Sequence, residues 1–215
     1  MTKPQIHIID YGVGNLLSVQ RGVEKCGATP ILTSDADKII NADRIILPGV
    51  GAFKNAMLAL EELSLDEALK EIAAKGNPLL GICLGMQMFL DESEEFEITK
   101  GLGIIPGKVI PVPAYDKKNK PIKIPHIGWN SLQSSESRLS WKNTILSDSE
   151  MGSYCYFVHS FMSSPTSIND RLADCIYGDH KVSAVISRDN LTGCQFHPEK
   201  SGEIGLKILK NFCYS

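Results

Sequence analysis

The chain has 215 residues and a formal net charge of −3, with 43% hydrophobic and 22% charged residues. This length allows one domain with a full core, and the composition is ordinary for a globular protein. The sequence lacks a Lys/Arg cluster and a long apolar run, which disfavours a nucleic-acid surface and a membrane span. An apolar strand pattern begins almost at the N-terminus, so we expect no signal peptide.

Six cysteines are scattered along the chain without a CxxC pair. Their spacing indicates neither a disulfide framework nor a zinc site. Scattered thiols are typical of the reducing cytoplasm, where we expect the protein to reside. The six are Cys26, Cys83, Cys155, Cys175, Cys194 and Cys213.

The first half of the chain alternates between strand and helix patterns. Strands that alternate with helices predict right-handed crossovers and a parallel sheet covered on both faces. The predicted strands span 6–10, 30–34, 44–49 and 78–83, and the predicted helices span 15–27, 52–63, 64–76 and 84–95.

Beyond residue 101 the strand patterns lie close together with turn residues between them, which predicts antiparallel additions to the sheet. The predicted strands span 107–112, 154–162, 172–178, 182–189 and 191–196, with a surface loop over 131–143 between the first two and a helix over 202–212 after the last. We therefore predict an α/β fold. It is a single-domain three-layer sandwich over 1–215, with a mostly parallel central sheet and antiparallel additions in the C-terminal half.

The stretch "LLGICLGMQMF" (79–89) leads an apolar strand into a helix at Cys83. Gly81 and Gly85 flank this cysteine and remove side chains that would clash at a sharp turn. The helix N-terminus would lower the thiol pKa and offer N–H donors to an oxyanion. From this stretch alone, a buried structural cysteine is the preferred interpretation, so a nucleophile requires a base elsewhere in the chain.

His197 is the best candidate for that base, in "GCQFHPEKSG" at the end of an apolar strand. Glu199 could accept the Nδ1–H of His197, which would fix the tautomer and leave Nε2 free. A surface turn and a metal ligand are the alternatives, and metal is less favoured because no third ligand lies near in sequence. Since Cys83 and His197 both follow strand ends, where α/β sheets place their sites, together they favour a Cys–His–Glu triad.

A third element is "LPGVGAF" (47–53), in which glycines flank Val50. They would allow the Val50 peptide to reorient and present an N–H to an oxyanion. A simple Gly-rich turn is the alternative, and a phosphate site is weakly supported because no Gly-Lys-Ser/Thr follows. The stretch "YGVGNLL" (11–17) lacks the third glycine of GxGxxG, so a dinucleotide site is not supported.

The segments "GICLGMQ" and "QFHPEKS" resemble those of class I (triad) glutamine amidotransferases. Within that family, the order and content of four further segments resemble the glutaminase subunits of imidazole glycerol phosphate synthase. The resemblance extends from residue 8 to residue 212, essentially the whole chain. The four segments are "DYGVGN", "LPGVGAF", "PHIGWN" and "YFVHSF".

This resemblance implies roles for individual residues. Cys83 would be the nucleophile, His197 the general base and acid, and Glu199 the partner that orients His197. The oxyanion would be held by the backbone N–H of Leu84 and, after a peptide flip, by that of Val50. The implied substrate-binding residues are Gly49, Gly51, Gln87, His159, Ser160 and Phe161. The implied partner-facing residues are Asn15, Trp129 and Lys200.

The resemblance also implies an activity. L-glutamine would be hydrolysed without metal or cofactor, and ammonia would pass to a (β/α)8-barrel cyclase in a heterodimer. That partner would form imidazole glycerol phosphate and AICAR in L-histidine biosynthesis. The sequence leaves three alternatives open. One is a paralogous glutaminase that supplies a synthase modifying surface-polysaccharide sugars. The second is a catalytically silent regulatory module, and the third a free-standing cysteine hydrolase.

Overall fold

A computed structural model describes residues 3–215, in which helices and strands alternate up to residue 90 and strands predominate beyond it. The strands are β1 (Gln5–Ile9), β2 (Thr29–Thr33), β3 (Ile45–Gly49), β4 (Leu79–Cys83), β5 (Glu92–Ser93), β6 (Thr99–Lys100), β7 (Gly107–Pro111), β8 (His126–Ser131), β9 (Gln133–Ser134), β10 (Tyr154–His159), β11 (Phe161–Pro165), β12 (Arg171–Tyr177), β13 (His180–Arg188) and β14 (Leu191–Cys194). The helices are α1 (Leu16–Lys25), α2 (Ala36–Ile40), α3 (Phe53–Glu62), α4 (Leu65–Lys75), α5 (Leu84–Gln87) and α6 (Gly202–Tyr214), with 3₁₀ turns at Ile168–Asp170 and Pro198–Lys200.

The central layer is an eight-stranded sheet in the order β2-β1-β3-β4-β14-β13-β12-β9. The strands from β2 to β14 in this order run parallel. The remaining pairings, from β14 to β9, are antiparallel. This arrangement confirms the predicted α/β fold with antiparallel additions from the second half of the chain.

Side-chain alternation along the strands creates a core on each face of this sheet. Ile6 and Ile8 of β1 pack on the face that α1 and α6 cover, whereas Ile9 packs on the opposite face beneath α3 and α4. In the same way, Leu80 and Leu79 of β4 contribute to opposite cores. The three layers follow directly from this alternation, because both faces of the parallel strands are apolar.

Two smaller sheets cover one end of the central sheet. Strands β8 and β10 form an antiparallel ribbon, and β11, β7, β5 and β6 form a second sheet. The segment 154–162, predicted as one strand, is therefore two strands, with Ser160 at the break. The Ser160 carbonyl accepts a hydrogen bond from Val112 N (2.9 Å), which anchors the break to the second sheet.

The predicted helix over 84–95 is wrong in length, because α5 ends at Gln87. The carbonyls of Met88, Phe89 and Leu90, which a longer helix would use internally, accept hydrogen bonds from the backbone N–H groups of residues 102–105. The side chains of these three residues are fully buried. Over this apolar stretch, backbone hydrogen bonds to a distant segment thus replace the hydrogen bonds that a longer helix would form.

Other local predictions also required correction. The predicted surface loop over 131–143 contains β9 and two buried hydrophobic side chains, Leu132 and Trp141. The Trp141 indole donates to the Leu172 carbonyl (3.2 Å), so this segment is part of the core. Helix α2 and strand β8 were not predicted. Helix α2 has only five residues, and β8 is half exposed, which weakens the hydrophobic pattern.

Candidate active site

The site forms where three neighbouring parallel strands end. Gly49, the last residue of β3, is paired in register with Cys83, the last residue of β4. On the other side of β4, Cys194 pairs with Ile82, and the chain continues from there to His197. Because parallel strands end at one edge, segments distant in sequence meet there, as expected for open α/β sheets.

Cys83 occupies a strained corner between β4 and α5, with φ 56° and ψ −109°. A Cβ atom on Gly81 would lie 2.6 Å from Met86 N, and one on Gly85 would lie 1.9 Å from the Leu47 carbonyl oxygen. The glycines on either side of the cysteine therefore serve close backbone packing. They let α5 turn back against β3 and β4 and hold the cysteine at the turn.

His197 and Glu199 form a buried pair beside this corner. Nδ1 of His197 lies 2.8 Å from Oε1 of Glu199, and only 3% and 0% of the two side chains are exposed. Among the described residues, neither Nε2 of His197 nor Oε2 of Glu199 has a hydrogen-bond partner. The imidazole is therefore held through Nδ1, while Nε2 is left to interact with Cys83.

The electrostatics favour the protonated form of His197. Burial lowers its pKa, but the interactions with Cys83 and Glu199 outweigh burial and raise the pKa to about 9. The imidazolium is thus stabilised by the two groups with which a triad would place it in contact. Such a perturbed pair in a cleft is typical of a catalytic site.

Cys83 and His197 open into a cavity of about 310 Å³. Its lining consists of Val50, Gly51, Cys83, Leu84, Gln87, Glu95, Val158, His159, Ser160, Phe161 and His197. A larger depression of about 550 Å³, which includes Arg138 and Asn190, contains neither cysteine nor histidine. The smaller cavity is therefore the candidate active site, because its lining contains the reactive side chains that the larger depression lacks.

Most of the predicted catalytic and substrate-binding residues meet in this lining, but Glu199, which lies against His197, and Gly49 do not. A Cβ atom on Gly49 would lie 2.8 Å from the Tyr11 hydroxyl and 2.9 Å from Leu84 Cβ, so this glycine is enclosed behind the cavity. Gly51, by contrast, has φ +94° with open space around it. The loop is thus enclosed at Gly49 and open at Gly51, with the half-exposed Val50 between them.

The far wall of the cavity is held by side-chain amides. Nε2 of Gln87 donates to the Phe161 carbonyl (3.0 Å) and to Oε1 of Gln195 (3.0 Å). Nε2 of Gln195 in turn lies 3.8 Å from Sγ of Cys83. His159 places its Nδ1 2.8 Å from the same Phe161 carbonyl. These contacts connect the strand break at Ser160 to the cysteine.

Sequence reasoning missed Glu95 and Gln195. The Glu95 carboxylate lies in the cavity wall and accepts a hydrogen bond from Phe53 N (2.6 Å) at the start of α3. Its place in the fold depends on the early end of α5, which the pattern did not show. Gln195 carried a detectable signal, because it is an amide between Cys194 and Phe196 in an otherwise apolar strand.

The three residues expected to face a partner lie at or near the surface. Trp129 is 54% exposed, and Lys200 is exposed at the end of the turn that carries Glu199. Asn15 caps α1, with its Oδ1 accepting from Ser18 N (3.4 Å).

In the part of the chain that the structure describes, no helix is long and apolar enough to cross a membrane. Residues 3–215 also contain no cluster of three or more His, Cys, Asp or Glu suited to a metal.

Comparisons with known proteins show the family to which the chain belongs. The sequence model of the family described as "Glutamine amidotransferase class-I" matches residues 7–215. The structure of PurLQS from Thermotoga maritima is similar to this fold, with a TM-score of 0.71, 19% identity and 98% of each chain covered. The fold and the Cys–His–Glu edge define the class, and the chain belongs to the class I glutamine amidotransferase family.

Curated relatives are similar over nearly the full length. The chain is 50% identical over 207 residues to imidazole glycerol phosphate synthase subunit HisH 1 of Legionella pneumophila (strain Lens), covering 96% of this chain and 97% of the relative. It is 47% identical over 209 residues to imidazole glycerol phosphate synthase subunit HisH of Methanosarcina acetivorans, covering 97% of each.

Proposed function

We propose that this chain is the glutaminase subunit of an imidazole glycerol phosphate synthase. It hydrolyses L-glutamine to glutamate and ammonia, which a (β/α)8-barrel cyclase subunit consumes in L-histidine biosynthesis. The observation that carries the proposal is the placement of Cys83 and His197 in the lining of one cavity at one sheet edge, with the buried Glu199 held against His197. Relatives about half identical and named as subunits of that synthase support the pathway.

Acyl transfer at this site begins at Cys83. Its thiolate attacks the side-chain amide carbon of glutamine, and His197 protonates the leaving nitrogen, which departs as ammonia. Water activated by His197 then hydrolyses the thioester and releases glutamate. Glu199 keeps Nδ1 of His197 engaged, so that Nε2 exchanges the proton. Every step uses groups of this chain and water.

The oxyanion is held by backbone donors on either side of Cys83. Leu84 is the first residue of α5, and the first N–H groups of a helix have no acceptor within it. The second donor is the Val50 N–H. It reorients by a flip of the Gly49–Val50 peptide, which changes ψ of Gly49 and φ of Val50 and is eased by the missing side chain at Gly49.

The cavity also provides groups for the amino-acid end of glutamine. The Glu95 carboxylate is suited to the α-ammonium group, and the wall formed by His159, Ser160 and Phe161 lies beside it. Gln87 is held by its amide nitrogen, which leaves its Oε1 for the substrate amide. Together these residues place the substrate carbonyl over Cys83.

The partner docks on the ribbon of β8 and β10. Ile127, Trp129 and Tyr154 on its outer side are 54–60% exposed, and Trp129 packs edge-on against Tyr156 with ring centroids 6.0 Å apart. Val158 of the same ribbon lines the cavity, so this surface borders the source of ammonia. Protein contact there would exclude water and keep ammonia unprotonated.

All six cysteines are free thiols, which fits a cytoplasmic location.

Replacement of Cys83 with alanine tests the proposal in the complex with the barrel subunit. Cys83→Ala should abolish glutamine-dependent synthesis and glutamate release, because it removes the nucleophile. Ammonia-dependent synthesis should persist, because the partner site is intact. Cys26→Ala is the matched control, since Cys26 lies in the core near α6 with its thiol toward the Leu206 carbonyl. This control should retain both activities.

Equal loss of glutamine- and ammonia-dependent synthesis in Cys83→Ala would reject the assigned role. The identity of the co-purified barrel subunit and its product decides the pathway. A partner that aminates a surface-polysaccharide sugar would favour the paralogous glutaminase over the synthase proposed here.

A further inference from the structure

Two buried histidines stand behind the cavity and take no part in the triad. His126 and His159 are 3% and 6% exposed, and Nδ1 of His126 lies 2.9 Å from Nε2 of His159. Only His159 reaches the cavity lining. His126 lies one layer further out, at the start of β8, so any effect it has on the reaction must pass through His159.

The hydrogen-bond partners determine the tautomer of both rings. Nδ1 of His159 lies 2.8 Å from the Phe161 carbonyl, which can only accept, so this nitrogen carries the proton. Burial lowers the pKa of His126 and of His159 to about 4, and both rings are neutral at pH 7. Nε2 of His159 is then an acceptor, and His126 donates to it from Nδ1.

The chain of hydrogen bonds is fixed at its outer end by Asn130. Nδ2 of Asn130 donates to the Ile176 carbonyl (2.9 Å), and its Oδ1 accepts from Ser131 N (2.8 Å). The same Nδ2 lies 3.3 Å from Nε2 of His126, which is an acceptor in the tautomer deduced above. Between Asn130 and His159, each donor thus faces an acceptor. If His159 donated to His126 instead, the Nε2–H of His126 would face Nδ2 of Asn130, which is also a donor.

The position of His126 is set by aromatic packing. Its ring is stacked on Tyr177, with centroids 4.0 Å apart, and on Phe157, at 5.0 Å. The imidazole is therefore held in plane between two rings and cannot turn away from His159 without disturbing them. A fixed donor of this kind is suited to orient its neighbour.

At its inner end the chain reaches the reacting groups. The Phe161 carbonyl that accepts from His159 also accepts from Gln87, which continues through Gln195 to Sγ of Cys83. Displacement of His159 would therefore move an acceptor that holds Gln87 in the cavity. The wall against which glutamine rests depends on this carbonyl.

We propose that His126 is a positioning residue for glutamine hydrolysis. Its Nδ1–H orients His159, and through the Phe161 carbonyl it holds Gln87 and the substrate wall in place. The proposal rests on the glutaminase function proposed above, and it assigns to His126 a role that is independent of proton transfer by the triad. Because His126 lies in the same strand as the exposed Trp129, it also connects the ribbon surface to the substrate wall.

Two substitutions of His126 separate the hydrogen bond from the packing. His126→Phe keeps a ring between Tyr177 and Phe157 but removes the donor, whereas His126→Asn keeps an N–H near the position of Nδ1. A lost buried hydrogen bond is expected to raise the KM for glutamine about tenfold in His126→Phe. The kcat should fall less, ammonia-dependent synthesis should be unchanged, and His126→Asn should stay within about threefold of wild type.

Nuclear magnetic resonance of histidine ring nitrogens provides a readout that does not depend on activity. In the wild-type chain at pH 7, both His126 and His159 should be neutral with the proton on Nδ1. A proton on Nε2 of either ring would overturn the proposal. An inactive wild-type complex would refute the glutaminase function, while the ring-nitrogen spectrum would still decide the His126 hydrogen bond.

The kinetic outcomes are equally decisive. A folded His126→Phe variant with the wild-type KM would show that the hydrogen bond does not position the substrate wall. Equal impairment of His126→Phe and His126→Asn, each with a wild-type melting temperature, would also contradict the proposal, because the retained donor should rescue binding. Recovery in His126→Asn alone supports it.

Discussion

At the scale of single residues, the site depends on a charge that is stable despite burial. The side chain of His197 is 3% exposed, yet its pKa is raised to about 9 because Cys83 and Glu199 together outweigh the cost of burial. Removing either partner should therefore leave the imidazolium poorly compensated. The protonation state of His197 is therefore coupled to the stability of the fold.

The pKa of His197 provides a prediction for stability against pH. The folded-state pKa lies above the ordinary value of 6.5, so the contribution is fully present below pH 6.5 and is lost as pH rises through about 9. Relative to His197→Gln, wild type should lose about 3 kcal/mol of unfolding free energy across this window. Denaturant titrations of both proteins at pH 6 and pH 10 measure the difference. A difference that grows at high pH would contradict the assignment.

Part of the site could be predicted because some of its residues have characteristic neighbours in the sequence. Cys83 stands between two glycines, and His197 precedes a proline and a glutamate, so both could be singled out from sequence. Glu95 and His126 could not be singled out. Their positions depend on where α5 ends and how β8 pairs, which are tertiary outcomes.

At the scale of elements, the turn from β4 into α5 sets the geometry of Cys83, the proposed nucleophile. Helix α5 has only four residues, so its own hydrogen bonds contribute little to hold it. Its position depends instead on the close approach of Gly85 to β3 and of Gly81 to Met86. These contacts explain why small residues surround the cysteine.

Replacement of Gly85 with alanine tests this packing. The added methyl would lie 1.9 Å from the Leu47 carbonyl, so α5 must shift away from β3. We expect a loss of about 3 kcal/mol or more in unfolding free energy and the loss of glutaminase activity. Gly76→Ala is the control, because Gly76 ends α4 with φ +85° and open space around it. It should cost about 1 kcal/mol from backbone strain alone and retain activity. Equal effects in the two variants would contradict this account.

Helices and strands were predicted correctly where the hydrophobic pattern of the segment matches its burial in the fold. Strands β3 and β4 are apolar runs buried on both faces, and β1 is apolar apart from Gln5 and His7, so their patterns were sufficient. The helix over 84–95 failed because its apolar residues are buried on all sides, so they carry no helical periodicity that could locate an end. The backbone N–H groups that end it come from residues 102–105, beyond the reach of a local pattern.

At the scale of the whole molecule, the loop at Val50 and the ribbon surface of β8 and β10 are suited to control by a partner subunit. Val50 is half exposed at the mouth of the cavity, and the apolar ribbon of Trp129, Ile127 and Tyr154 is also exposed. A partner that contacts one orientation of the Val50 peptide better than the other would shift its population. Glutamine would then be hydrolysed only when ammonia has an acceptor.

The isolated chain should accordingly be a poor glutaminase. Loss of one oxyanion donor typically costs on the order of 100- to 1,000-fold in rate, so a misoriented Val50 would keep the lone subunit nearly silent. Steady-state glutamate release should rise by that order on addition of the barrel subunit, and further when that subunit holds its ligand. Full activity of the chain alone would favour a free-standing hydrolase.

The most direct test of the central claim is covalent labelling of the nucleophile. The complex is incubated with an electrophilic L-glutamine analogue, and the modified residue is located by peptide mass spectrometry. Cys26 is as exposed as Cys83, at 8% and 7%, so surface exposure alone should not select between these two. The account predicts one adduct, on Cys83, that excess L-glutamine suppresses and that Cys83→Ser lacks. Labelling of another cysteine, or labelling of Cys83 that glutamine does not suppress, would contradict it.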